Sequence, residues 1–439
     1  MQSLRKICLM LSGLAAIALL WGISSAQPQL WQPAAVSLCL FGAIGLGAVP
    51  ALSSYQYTAW IITAVVAAMI YPSAFLKWGG FDLRNKWLIL IVVQMVMFGM
   101  GIQMSLRDFT GLGSTGKGVL IGLACHFSVM PLMGLLLTRI FHFEPEIASG
   151  IILIGSCSSG LASNVMVYLA KANLVLSVTV TAMATLAAPF LTPLLMKLLA
   201  GTLIQIKFIS MMMEIIKIVL VPIGAALLHD YLKRADAAGR KTVYLIGLAC
   251  LVYLLALPVG LYRFYEVHFL EAGLQSAEVF GFLIGAFLVG MVYHQIYRWQ
   301  PGVDKFIPYL SMFGIVYFTA VTTAAGRDNL LNVGLLLFLA SVIHNSAGYF
   351  FGYWLSRLFK LDKNSARTVA FEVGLQNGGM ASGLAGTMGK LATVGLAAAV
   401  FSPWMNISGS LLANYWRRRP VETENEDGLA LDGKIGVSK

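Results

Sequence analysis

Fourteen apolar runs, each close to the ~20 residues needed to cross a bilayer as a helix, follow one another with short breaks from residue 5 to residue 415. They cover about 5–25, 34–52, 56–73, 86–104, 118–138, 147–170, 174–199, 209–231, 242–262, 276–297, 306–326, 331–356, 365–388 and 392–415. The runs are continuously apolar and lack the alternation of a barrel strand, so helices are expected. Only 11% of the 439 residues are charged, while 58% are hydrophobic. That balance leaves too little polar surface for a soluble fold. It excludes a disordered chain, a nucleic-acid module and a disulfide-stapled secreted domain. The expected class is an all-α polytopic membrane protein whose surrounding partner is the lipid bilayer.

The net charge of +11 follows topology and implies no nucleic acid. With residue 1 placed in the cytoplasm, eighteen Lys and Arg flank the spans on that side, among them Arg107, Lys171, Lys233, Arg240, Lys363 and Arg417 to Arg419. Nine, including Lys77, Arg139, Lys207 and Lys390, fall on the opposite side. This two-to-one excess predicts fourteen spans in the cell membrane with both termini cytoplasmic. The first run, with Arg5 and Lys6 ahead of it and Ser24-Ser25-Ala26 behind it, also has the form of a cleavable signal peptide. Its length favours a retained span. All five cysteines lie in apolar stretches without motif spacing, so neither disulfides nor a cysteine metal site is expected.

Two runs are interrupted at mid-depth. One carries Gly155-Ser156-Cys157-Ser158-Ser159-Gly160-Leu161-Ala162-Ser163-Asn164, the other Glu372-Val373-Gly374-Leu375-Gln376-Asn377-Gly378-Gly379. Small residues at helix contacts explain glycines and serines. They do not explain Glu372, Gln376, Asn377 and Asn164 together. Paired interruptions in two halves of a chain point to a transporter site, and an ionisable group inside an apolar span points to function. Glu372 and Gln376 share a helix face, as do Ser177 and Thr181. One carboxylate among neutral oxygens suits a monovalent hard cation. No HExxH or CxxC pair supports a transition metal, and no cofactor is expected beyond a coupling ion. Glu214 and Lys217, three apart near the start of a span, read as a local ion pair or as a lysine snorkelling to the headgroups. His344 and Asn345, with Gly348 and Gly352, read as helix packing. An intramembrane hydrolase would need a serine activated by a base. Ser159 or Ser382 with His344 or His126 are the available pairs, and no nucleophile motif frames them.

Four stretches resemble the bile acid:sodium symporter family: Phe98-Gly99-Met100-Gly101 with Arg107-Asp108-Phe109, Ser163-Asn164-Val165-Met166 with Tyr168-Leu169-Ala170-Lys171, Glu372-Val373-Gly374-Leu375-Gln376-Asn377, and Phe401-Ser402-Pro403-Trp404-Met405-Asn406. The resemblance covers 56–231 and 304–415, about two thirds of the chain. It implies a ten-helix core of two inverted five-helix repeats with crossed, discontinuous helices. About four extra transmembrane helices would lie outside that core. The chain then divides into an N-terminal extra pair (1–55), the first repeat with the first helix of the second (56–231), an inserted pair (232–303), the rest of the second repeat (304–415) and a tail (416–439).

On these positions the resemblance implies a first sodium site at Ser163, Asn164, Ser177, Thr181 and Glu372. A second would use Glu372, Val373, Leu375 and Gln376, plus a glutamine whose place His126 takes. Neutral imidazole is a poor sodium ligand, and His126 is equally readable as a packed core histidine or a coupling group. Asn377 and Asn406 keep the places of substrate-binding residues. Leu161 and Met405 depart from the pattern in the same cavity and make it less polar. The expectation is a sodium-coupled symporter of a small organic anion, bile acid-like or a carboxylate metabolite. The alternative is a proton-coupled transporter or antiporter of similar architecture, using Glu372 with His126.

Overall fold

Each of the fourteen runs is helical over most of its length in a computed structural model, which describes residues 2–50, 52–109, 112–268 and 271–421. In hydrocarbon the backbone has no water to bond, and a helix satisfies it within the segment. Among the described residues, ten helical stretches are long and apolar enough to cross a membrane, and shorter apolar helices of 10–17 residues accompany them. The protein is an all-α polytopic membrane protein. Its few strand residues form one short hairpin, β1 (Lys77–Trp78) with β2 (Phe81–Asp82), in a loop.

The first helices are α1 (Gln2–Ser24), α2 (Pro28–Gly45), α3 (Gln56–Ile70), α4 (Lys86–Ile102), α5 (Leu112–Phe141), α6 (Pro145–Ser156), α7 (Ala162–Leu169) and α8 (Leu174–Leu199). The next span is α9 (Phe208–Ile215), a π-turn (Ile216–Leu220) and α10 (Val221–Arg234). Then come α11 (Ala237–Ala256), a second π-turn (Leu257–Leu261), α12 (Tyr262–His268) and α13 (Glu271–Trp299). The chain closes with α14 (Ile307–Ala325), α15 (Arg327–Leu358), α16 (Lys363–Gly374), α17 (Gly378–Thr387) and α18 (Gly395–Arg417). Most of the tail, 422–439, lies outside the described residues.

The helices sort into two packed groups. The broken pairs α6–α7 and α16–α17 pack with α5, α8, α15 and α18. The rest pack side by side in the order α1, α2, α3, α14, α4, α10, α13, α11. The pairs expected to be extra therefore extend the two ends of this second group: α1 and α2 beyond α3, α13 and α11 beyond α10. Small residues permit the close approaches. A Cβ on Gly22 would lie 2.7 Å from the backbone of Trp31, and one on Gly45 would lie 2.8 Å from Leu9, which fixes the α1–α2 hairpin. The two groups meet where α17 lies on α4, with Gly379, Gly383 and Gly386 against Val96, Val93 and Ile89.

Candidate functional site

Both mid-membrane interruptions are breaks in the helix, and they bond to each other. The segment between α6 and α7 and the one between α16 and α17 pair antiparallel through Ser159 and Gln376. The amide of Gly160 donates to Leu375 O at 2.9 Å, and that of Asn377 to Ser158 O at 2.9 Å. Glycine at 160 favours this approach, because a Cβ there would sit 3.0 Å from the Gln376 carbonyl and push that segment back by a few tenths of an ångström. Two short extended segments thus satisfy each other at a depth where no water is available.

A helix that stops in the membrane leaves its last carbonyls without intrahelical partners, and side chains from other helices take them up. Thr192 Oγ1 donates to Ser156 O at 2.7 Å, and Asn345 Nδ2 to Gly374 O at 2.8 Å. Gln376 Nε2 donates to Val373 O at 2.7 Å. His126 lies between the two broken helices, Nδ1 2.9 Å from Glu372 O and Nε2 2.8 Å from Cys157 O. At the start of α17, Asn377 Oδ1 caps the helix by accepting from the Met380 amide at 3.0 Å. Sequence reasoning missed Thr192, a neutral residue in an apolar run, and took Asn345 for packing.

The five residues of the first expected cation site come together around Glu372, which is completely buried. Ser177 Oγ lies 2.5 Å from one carboxylate oxygen and Thr181 Oγ1 2.8 Å from the other. Asn164 Oδ1 approaches the same two hydroxyls at 2.7 and 3.3 Å. Ser163 Oγ is 3.4 Å from Thr181 Oγ1 and donates to Gly160 O at 2.8 Å. α7, α8 and α16 supply these groups, with the serine-threonine pair on one face of α8. Each hydroxyl has a single proton to donate, yet Ser177 and Thr181 each face both a carboxylate oxygen and the Asn164 oxygen. The cluster has more oxygen lone pairs than protons to fill them. A small cation bound by oxygen corrects that excess.

The second expected set is only partly assembled. Gln376 Oε1 is buried and has no hydrogen-bond partner among the described residues. Val373 and Leu375 are fully buried, and the two ring nitrogens of His126 each lie within 2.9 Å of a backbone carbonyl, to one of which the neutral ring donates. Of the expected substrate residues, Leu161 is half-buried at the start of α7. Asn406 is half-buried and donates to Ser402 O at 2.9 Å. Met405 is buried, and its sulfur accepts from the Gln376 amide at 3.3 Å. The two half-helices differ in cover. Gly379 to Gly386 on α17 are buried, whereas Val165 and Tyr168 on α7 are exposed. Ser159 Oγ lies 3.3 Å from Ser163 Oγ and 3.4 Å from Leu375 O rather than beside a histidine, so this serine does not form the pair that a hydrolase would need.

Broken helices that cross at mid-membrane beside a buried carboxylate define an ion-coupled transporter. A family model described as the sodium bile acid symporter family matches residues 90–269. The chain is 32% identical over 360 residues to the uncharacterized sodium-dependent transporter YocS of Bacillus subtilis, covering 82% of this chain and 90% of that one. It is 27% identical over 373 residues to a rice protein (Oryza sativa subsp. japonica) named as a probable chloroplastic sodium/metabolite cotransporter, covering 85% of this chain and 75% of that one. It is 26% identical over 287 residues to the human ileal sodium/bile acid cotransporter, covering 65% of each. The chain belongs to the sodium bile acid symporter family, whose members are sodium-coupled transporters and not enzymes.

Proposed function

We propose that this protein imports a small organic anion across the cell membrane by symport with sodium. The observation that carries the proposal is the proton-poor oxygen cluster of Ser163, Asn164, Ser177, Thr181 and Glu372, built across both broken helices. Sodium there neutralises the one buried carboxylate and ties α7, α8 and α16 together. Binding of the ion thus sets the geometry of the adjoining breaks. The N-terminal ends of α7 and α17 carry partial positive charge and favour the anionic group of the substrate. The substrate class is a carboxylate metabolite or a bile acid-like anion, in contact with Asn377, Asn406, Leu161 and Met405. Relatives named for metabolites and for bile acids are consistent with that breadth.

The architecture proposed for this cycle is a core of two inverted five-helix repeats, 56–231 continuing into 304–415. The pairs at 1–55 and 232–303 are additions, and 416–439 is a cytoplasmic tail. A cysteine placed at Thr202 in a cysteine-free background is expected to react with an impermeant maleimide added outside cells. A reporter fused after Arg419 is expected to read as cytoplasmic. Labelling from the wrong face at either position overturns the topology.

Uptake of labelled organic anions into proteoliposomes, with a sodium gradient or a proton gradient alone, tests the coupling. Sodium is expected to drive accumulation. Equal accumulation on the proton gradient, with no sodium present, replaces the proposal by proton coupling. Stoichiometry follows from His126. Its imidazole carries no oxygen and its one N–H faces a backbone carbonyl, so it offers the second set no oxygen ligand. Uptake is therefore expected to rise with sodium with a Hill coefficient of about one, a single strong site leaving no second ligation event to steepen it. His126→Gln, which supplies an amide oxygen, is expected to raise sodium affinity or steepen the curve. A native coefficient near two that is unmoved by His126→Gln removes the single-site description.

A further inference from the structure

The pair made by α11–α12 and α13 forms, against α4 and α10, a half-open pocket of about 610 Å³. That volume is in the range of small-molecule sites, and none of the residues of the sodium cluster lines it. Its walls are almost wholly apolar, from Phe98 and Ala225 to Leu254, Phe282 and Val289. The α13 wall is cut back by Gly281 and Gly285, where an added Cβ would meet nothing within 4 Å. Both π-turns border it, through Val221 and Pro222 beside the first and Leu257 within the second. Such turns concentrate at functional sites. In the second, Gly260 takes a φ of 138°, a conformation open to glycine.

The ionic groups of this region are unbalanced. Lys217 Nζ lies 2.6 Å from Glu214 and 3.1 Å from Glu278. Gln94 Nε2 donates to the Lys217 carbonyl at 3.1 Å, holding the first π-turn to α4. One ammonium thus serves two carboxylates near the starts of two spans. Glu278 is the acidic residue in the cavity wall, and its side chain is 50% exposed. Two carboxylates that share one ammonium leave a net negative charge beside apolar walls, which is costly. We propose that the cavity binds an amphipathic primary amine, its ammonium on Glu278 and its apolar chain running between α4, α10 and α13 toward Val289. The ligand ammonium brings the charges to two of each sign, and the chain fills space that the protein leaves open. From Glu278 to Val289 the helix rises about 16 Å, room for a straight chain of about a dozen carbons.

Native mass spectrometry of the purified full chain with dodecylamine, dodecanol and dodecanoate separates charge recognition from greasiness. One dodecylamine is expected per chain, retained at least about tenfold better than dodecanol, with dodecanoate weakest, since a factor of ten is what a modest charge-assisted hydrogen bond supplies. Glu278→Gln is expected to erase the preference for the amine over the alcohol while leaving the chain bound. Gly281→Leu and, independently, Ala277→Leu should fill the cavity and abolish retention of all three probes, in protein that elutes as the native chain does. Equal retention of amine and alcohol by the native protein overturns the charge assignment. Undiminished dodecylamine binding in both filled variants overturns the location.

Discussion

Glu372→Gln is expected to abolish sodium-driven uptake while the protein still inserts and purifies in normal amount. The carboxylate is completely buried and takes its contacts from Ser177 and Thr181 at 2.5 and 2.8 Å. Glutamine keeps the shape, but it removes the only charge in the cluster and introduces two N–H donors among oxygens that were short of protons. The amide then satisfies the neighbouring hydroxyls and leaves nothing for a cation to correct. Taking the charge from a buried ionic site costs about 3–5 kcal/mol of the partner's binding, a loss of sodium affinity on the order of hundredfold or more. The fold itself loses little, because a neutral side chain is cheaper to bury than a carboxylate. Sodium-dependent uptake at the native rate in this variant removes Glu372 from the coupling mechanism. A variant that fails to insert is answered by Thr181→Val, which takes away one oxygen, keeps the shape and leaves the charge. Its sodium affinity is expected to fall with the carboxylate still in place.

The elements of this protein were legible because a bilayer imposes one demand on every span. Length and continuous apolarity locate the helices, and glycines with hydroxyl residues at 155–164 and with Glu372, Gln376 and Asn377 at 372–379 locate the breaks. The oxygen cluster around Glu372 was legible for a related reason. Glu372 has no ordinary place in an apolar span, and the oxygens that answer it follow recognisable spacings on α7 and α8. What could not be read were partners brought by the fold. Lys217 forms the local pair with Glu214 that its spacing suggested, but Glu278, 61 residues away, holds it as well, where snorkelling was the other expectation. Nothing in the neighbourhood of either residue announces the other. The same holds for Thr192 and Asn345, which cap broken helices from distant spans. A neutral residue that satisfies a carbonyl leaves no mark in composition or charge.

His126 shows the limit most clearly. Its residue type alone allowed a packed core histidine or a coupling group, and the geometry accommodates the first with unusual economy. One ring reaches the carbonyl of Glu372 on α16 and that of Cys157 just past the end of α6. It therefore lies between the backbones of both broken helices, one of them at Glu372, whose side chain anchors the oxygen cluster. Movement of either break relative to the other changes the distance from this ring to one of the two carbonyls, so under the proposed function cation binding at Glu372 would be joined to the crossing of the helices.

Gly383→Ala is expected to lower uptake by about tenfold or more, the consequence of overpacking by roughly 1–3 kcal/mol. Gly383 lies midway along α17 where that half-helix bears on α4, and an added Cβ would lie 2.4 Å from Val93 Cγ2. Val93 is fully buried and β-branched, so its methyl group has no free rotamer to move into. The strain must be relieved by lifting α17 from α4. Because α17 begins at the same break that presents Gln376 and Asn377, the displacement is delivered to the site and not to a loop. Val93→Ala in the same chain removes the two opposing methyls against the one added and is expected to restore at least about half of the uptake, because the clash is gone at a net loss of one methyl. Two results would count against a tight α17–α4 contact being required for transport: native uptake in Gly383→Ala at equal protein in the membrane, or a double variant no better than the single one. Recovery in the double variant distinguishes a local steric fit from general destabilisation, since a second core deletion would deepen the latter.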